Sequence, residues 1–146
     1  MKIITPDDMP IVEMAKLALN NKLYHRPDWT LIRCWQDIIN DPDVAETSSV
    51  LLLQDDDNII GAVFHNNAFS HNYWGTNIQA FVKENYRERG YGKMLYKAMN
   101  KRLIEKGFDG YLYAGRGVNG SLTFWDKMGG LHDEDCEHFL PLESTY

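Results

Sequence analysis

Arg87-x-x-Gly90-x-Gly92 is the stretch of this chain whose residue types and spacing can do chemistry. Two glycines one residue apart let a backbone turn sharply and let a ligand come close to its N–H groups. A helical pattern, GKMLYKAMNKRLIEKG, starts at the second of them. The first turn of a helix carries unpaired N–H groups and about half a positive charge. Such a terminus binds phosphate through main chain alone, and Arg87, Arg89 and Lys93 add cationic side chains around it. A tight structural turn would use the same glycines. Gly92-Lys93 is followed by Met94, so there is no Gly-Lys-Ser/Thr of a P-loop, and a dinucleotide fingerprint would need an earlier glycine and a strand nearer the start of the chain.

The elements that must position this loop can be read from periodicity. Ile78, Ala80 and Val82 alternate with other residues, as in a half-buried strand that stops at the loop. The following helix places Leu95, Ala98, Met99 and Leu103 on its inner side and stops at Gly107. Upstream, Lys2 to Thr5 reads as a strand, and Thr5-Pro6-Asp7-Asp8 as the capped start of a helix carrying Ile11, Met14, Ala15 and Ala18. A second helix is expected from Pro27 or Asp28 to about Asn40, with Trp29, Ile32, Trp35 and Ile39 on one side and Asp41-Pro42 as its end. Ser48 to Gln54 and Ile59 to His65 form a hairpin across Asp55-Asp56-Asp57-Asn58. Trp74 to Val82 is the strand that feeds the glycine loop. Tyr111 to Ala114 is a further strand, Asn119 caps a helix that ends at Gly129-Gly130, and Leu131 to Leu142 holds one or two short strands.

At 146 residues this is expected to be a single domain over 1–146, in an α/β (mixed α+β sheet) class with the order β-α-α-β-β-β-α-β-α-β. A net charge of −6 argues against general nucleic-acid binding and is compatible with a cationic acceptor. Cys34 and Cys136 lie far apart, which fits a reducing cytoplasm better than a disulfide framework. The first ten residues lack a signal-peptide run, and no segment approaches a membrane span. His132, Asp133, Glu134, Asp135, Cys136, Glu137 and His138 are dense in ligand types but have no recognised metal spacing, so no metal site is expected.

The longer string Val82-x-x-x-Tyr86-Arg87-x-x-Gly90-x-Gly92 resembles the acetyl-CoA pyrophosphate loop of the GNAT superfamily of N-acetyltransferases. Asn119-x-x-Leu122-x-Phe124-Trp125-Asp126-Lys127-Met128-Gly129 resembles a later segment of the same family, with imperfect spacing at its front, and the order of elements is similar along essentially the whole chain. The resemblance implies acetyl transfer from acetyl-CoA to a primary amine of a small molecule or protein. It implies a pantetheine arm paired with backbone near Phe81 and Val82, and a pyrophosphate on amides from about Glu88 through Arg89, Gly90, Tyr91 and Gly92 to Lys93. Arg87, Asn119 and Trp125 join the expected cofactor-binding set. Many relatives are dimers.

The chain departs from the family where the proton chemistry is done. Relatives often use a tyrosine where this chain has Trp125, whose indole donates a hydrogen bond but is no practical acid. Many use a glutamate in the strand before the loop, where Thr76, Asn77, Ile78 and Gln79 stand here. His65, Tyr113 and Ser121 are the substitute catalytic candidates, His65 as a base titrating near neutrality, with His71 able to reach the same mouth. Each also has a plain structural reading as a packed or capping residue. Tyr24, His25, Trp29 and Trp35 are candidates for the acceptor side, and Asp55, Asp56 and Asp57 for attracting a cation; core packing and a solvated turn are the competing readings. A non-catalytic acyl-CoA-binding or protein-interaction module on the same fold is the alternative function, and an unrelated phosphate binder a third.

Overall fold

The computed structural model describes residues 1–24, 29–67, 78–108, 111–114, 131–132 and 138–141. In chain order these form β1 (Lys2–Ile4), α1 (Ile11–Asn20), α2 (Trp29–Asn40), α3 (Pro42–Thr47), β2 (Ser48–Asp55), β3 (Asn58–Asn66), β4 (Ile78–Val82), α4 (Tyr91–Glu105), β5 (Tyr111–Ala114), β6 (Leu131–His132) and β7 (His138–Pro141). The helix expected from Asn119, and the segment 74–77 of the expected fourth strand, lie outside the described residues.

Strands β1 to β4 make an antiparallel sheet in sequential order, and β5, β7 and β6 make a second one in that order. Both faces of the first sheet are covered. Val50, Leu52, Ala62, Phe64 and Phe81 pack against Met14, Ala15 and Ala18 of α1 and Leu31, Cys34, Trp35 and Ile38 of α2. Leu51, Leu53, Ile60, Val63 and Ile78 pack against Leu95, Tyr96, Met99 and Leu103 of α4. Continuous apolar runs such as Val50-Leu51-Leu52-Leu53 follow from burial on two faces. The register of β2 and β3 slips between Leu53 and Gln54. The extra residue, Ile60, turns to the α4 side next to Gly61. A Cβ on Gly61 would sit 3.1 Å from the Phe81 carbonyl oxygen and 3.2 Å from Leu95 Cδ1, so glycine lets α4 lie close to the sheet.

Four expectations are corrected. Thr5 to Asp8 is a closed turn, with the Asp8 amide donating to Thr5 O at 2.9 Å and the Thr5 amide to Asp8 Oδ2 at 2.9 Å. The helix begins only at Ile11, after Pro10 at the N-cap. A helix from Pro6 would place Pro10 where its ring clashes with the Pro6 carbonyl. The buried face of α2 is Leu31, Cys34, Trp35 and Ile38, rotated from the expected Ile32 and Ile39, which are only partly buried. Asp41-Pro42 ends α2 and also starts α3, since Asp41 caps the Asp43 amide at 3.0 Å with proline in the first turn. Finally, β4 is covered on both faces, with Ile78 1% and Phe81 8% exposed on opposite sides.

Candidate active site

The path from β4 to α4 runs through a short 3₁₀ turn and two left-handed residues. Lys83 N–H donates to Ile60 O at 2.8 Å, which directs the Lys83 amide toward β3. Backbone groups alternate along a strand, so Phe81 also faces β3, while Ala80 and Val82 turn their N–H and C=O groups to the free edge of β4. That edge approaches β5 without sharing a ladder with it among the described residues. The splayed pair is thus the seam between the two sheets.

Past Lys83 a single 3₁₀ turn, Glu84–Tyr86, reverses the chain. Arg87 then folds back, donating from Nε to Val82 O at 2.7 Å and stacking its guanidinium 5.5 Å from the Phe81 ring centroid. Arg89 stacks 5.8 Å from the Tyr86 centroid. The backbone alternates hand here. Arg87 has φ −74°, Glu88 φ 63°, and Gly90 φ 85°; Arg89 between the last two is not left-handed. The two left-handed residues, Glu88 and Gly90, bend the chain sharply on either side of Arg89 just before the helix begins. Gly90 is the N-cap of α4, with no side-chain cap and no acid in the first turn. Met94 is the first amide paired inside the helix, to Gly90 O at 3.0 Å. The amides of Tyr91, Gly92 and Lys93 therefore have no intrahelical partner. A Cβ on Gly90 would meet nothing within 4 Å, so the left-handed backbone and not space demands glycine there. Gly92 is an ordinary residue of the first helical turn. The left-handed Glu88 is the feature that the sequence reading missed, because nothing in a glutamate signals it.

His65 lies elsewhere. It pairs with Ser49 and Ile78 on the α4 side of β3, is 1% exposed, and meets Phe108 edge-on at 5.1 Å. Burial, with a smaller contribution from the Lys106 charge, lowers its pKa to about 4. It is therefore a neutral imidazole at pH 7, and the near-neutral titration expected from its type is absent. Lys106 reaches Ser49 Oγ at 3.4 Å, and burial together with Arg102 lowers its pKa in turn, opposed by Asp7. Tyr113 occupies β5, paired with Phe139. Ser121, His71, His25, Asn119 and Trp125 lie outside the described residues. Trp35 is core, its indole donating to Leu23 O at 2.9 Å and its ring set edge-on to Phe64. Tyr24 packs at the margin of the same cluster. Asp56 holds the left-handed position of an exposed turn. Among the described residues no group of three His, Cys, Asp or Glu could hold a metal ion, and no helix is long and apolar enough to cross a membrane.

The structure is similar to that of the PaiA N-acetyltransferase from Thermoplasma acidophilum, solved in complex with coenzyme A. The TM-score is 0.56 at 15% identity, over 95% of this chain and 97% of that one. No curated protein matches the chain significantly in sequence. The acetyltransferase (GNAT) family profile matches residues 11–129. An antiparallel sheet clasped between helices and splayed at β4, with a glycine-opened helix behind it, is the frame on which that match lies, and the chain belongs to the acetyltransferase (GNAT) family.

Proposed function

We propose that this acetyltransferase takes its acetyl group from acetyl-CoA and passes it to a primary amine of a small molecule or protein by direct attack. The observation that carries the reading is the uncapped start of α4 at left-handed Gly90, continuous with the free edge of β4. The amides from Glu88 to Lys93 suit a diphosphate, and exposed Arg87, Arg89 and Lys93 supply countercharge. The N–H and C=O of Ala80 and the N–H of Val82 suit the amides of a pantetheine arm, which pair with backbone as an added strand does. Arg87 already occupies the Val82 carbonyl, so it marks where the phosphate end gives way to the arm. Asn119 and Trp125 complete the proposed cofactor contacts.

The acceptor must attack as a free base. A lysine-like amine with pKa near ~10.4 costs roughly 4–5 kcal/mol to neutralise at pH 7. Orientation of two bound reactants is worth on the order of 7–11 kcal/mol, so the arrangement can work without a strong base. The amine nitrogen bonds to the carbonyl carbon, the C–S bond breaks, the amine proton leaves to water, and the thiolate takes a proton. His65 is buried on the α4 side of β3 under Phe108, so the amine proton is left to water; Tyr113 and Ser121 remain the proposed proton donors to sulfur. The net charge of −6 is compatible with a cationic acceptor. An acceptor-panel assay of free-thiol release from acetyl-CoA tests the reading. Turnover with an amine supports it; tight binding with no turnover on a broad panel points to the non-catalytic module.

A further inference from the structure

Gln79 holds a buried hydrogen-bond donor that no described residue accepts from. Alternation along β4 places its side chain on the same face as Phe81, opposite Phe64 across the ladder, on the side covered by α1 and α2. Its Nε2 is shielded from solvent, and no described residue accepts from it. Leaving a buried amide donor unpaired costs about 1–3 kcal/mol, so such groups are expected to meet a partner. Of the two faces of β4 this is the one that does not carry α4. It is also the strand from which the proposed site takes its edge groups.

Position along the strand narrows the partner. Gln79 precedes Val82 by three residues, roughly 10 Å at strand spacing. An arm that starts at the α4 amides and runs back along Val82 and Ala80 brings its sulfur end beside Gln79. The group there is a thioester, and its acceptor atom is the carbonyl oxygen. We propose that the Gln79 side-chain amide donates to the acetyl carbonyl oxygen of acetyl-CoA, which makes Gln79 a catalytic residue; the inference rests on the acetyl-CoA reading above. A neutral amide cannot take the amine proton. It can stabilise the negative charge that gathers on the carbonyl oxygen as the amine nitrogen bonds to carbon. That charge returns to the C=O bond when the C–S bond breaks, so the amide gives up no proton at any stage. Donors placed where charge develops are worth more in a dry site than in water. A glutamine also donates at every pH from acid to neutral, whereas an ionised carboxylate there would repel the same oxygen.

The test needs no acceptor. The two side-chain amide protons of Gln79 are assigned in the 15N spectrum by their loss in Gln79→Met, and the protein is titrated in parallel with acetyl-CoA and with coenzyme A. The account expects these signals to move with acetyl-CoA and to stay nearly still with coenzyme A. Calorimetry on Gln79→Met and Gln79→Glu should show acetyl-CoA affinity down about 3–10-fold, as for one neutral hydrogen bond, with coenzyme A affinity unchanged. Equal responses of the amide to both ligands, or an unchanged affinity ratio in both variants, would overturn the assignment of Gln79. Failure of the unmodified protein to bind either ligand would instead overturn the functional reading beneath it.

Discussion

The two ends of α4 are built on opposite plans. At its C-terminus every device closes the helix. Gly107 adopts φ 86°, its amide donates to Ile104 O at 3.0 Å and the Phe108 amide to Leu103 O at 3.0 Å, the paired bonds of a Schellman motif. Phe108 then packs with Leu103 in the core and covers His65. At its N-terminus nothing among the described residues closes it. Gly90 is also left-handed, but it supplies no side-chain cap and the first turn of the helix holds no acid. The same glycine conformation satisfies carbonyls at one end and exposes amides at the other. The difference separates stability from function: the closed end holds the fold, and the open end has binding capacity to spare.

The largest expected effect breaks the open end. Gly90→Val forces a β-branched residue into the left-handed region and tips the amides away. Acetyl-CoA affinity should fall at least about 100-fold, or roughly 3 kcal/mol, in a calorimetric titration, with the fold retained by circular dichroism. Unchanged affinity would show that the loop is only a turn.

Next comes the closed end, through pH. His65 has a folded pKa of about 4 against an ordinary 6.5. The folded pKa is depressed, so the unfolded chain binds the proton first as pH falls. The stability that this neutral histidine represents is complete above pH 6.5 and is lost between there and about pH 4, on the order of 3 kcal/mol. Urea midpoints across that range should fall in the native protein and fall much less in His65→Phe. Parallel slopes would contradict the burial of a neutral imidazole. Gly107→Ala is the smaller probe of the same end: the left-handed position costs an alanine roughly 1–2 kcal/mol, read as a lower urea midpoint, with coenzyme A affinity unchanged. A loss of affinity there would erase the contrast between the ends.

Glu88→Gly sharpens the comparison with the smallest effect. Glycine relieves the left-handed strain at φ 63°, but it also loosens the unfolded chain, which offsets about 0.4–1 kcal/mol. Stability should change by a few tenths of a kcal/mol upward, and acetyl-CoA affinity should rise slightly as a carboxylate leaves the proposed anion site. Weaker binding would mean that the Glu88 side chain itself contributes to the site.

Much of this was legible in residue order. The hairpin across Asp55 to Asn58, the strand into the glycine loop and the stop at Gly107 follow from turn chemistry and apolar runs, which act over a few residues. The errors came where two local signals competed. Thr5-Pro6-Asp7-Asp8 has the composition of a helix start, but Pro10 forbids the helix that it would start, and the same groups close a turn. Asp41-Pro42 was legible as an end and not as the beginning of α3. Ile32 and Leu31 differ by one position, so only packing on the sheet decides which face of α2 is buried. In the candidate site the glycines announced themselves, whereas Glu88 adopts its backbone without any sequence mark. The state of His65 depends on Phe108 and Lys106, brought to it by the return of α4, so a near-neutral pKa was the natural expectation and burial reversed it. Gln79 stood in view only as a missing carboxylate; its shielded donor is a product of packing.

The central claim is that the open end of α4 and the free edge of β4 receive acetyl-CoA. Calorimetric titration of the unmodified protein with acetyl-CoA tests it most directly. The account predicts saturable binding at one site per chain, weakened by added salt because phosphate charge contributes. An absence of binding heat at any temperature tried, with no protection of the fold against urea by the ligand, would contradict it.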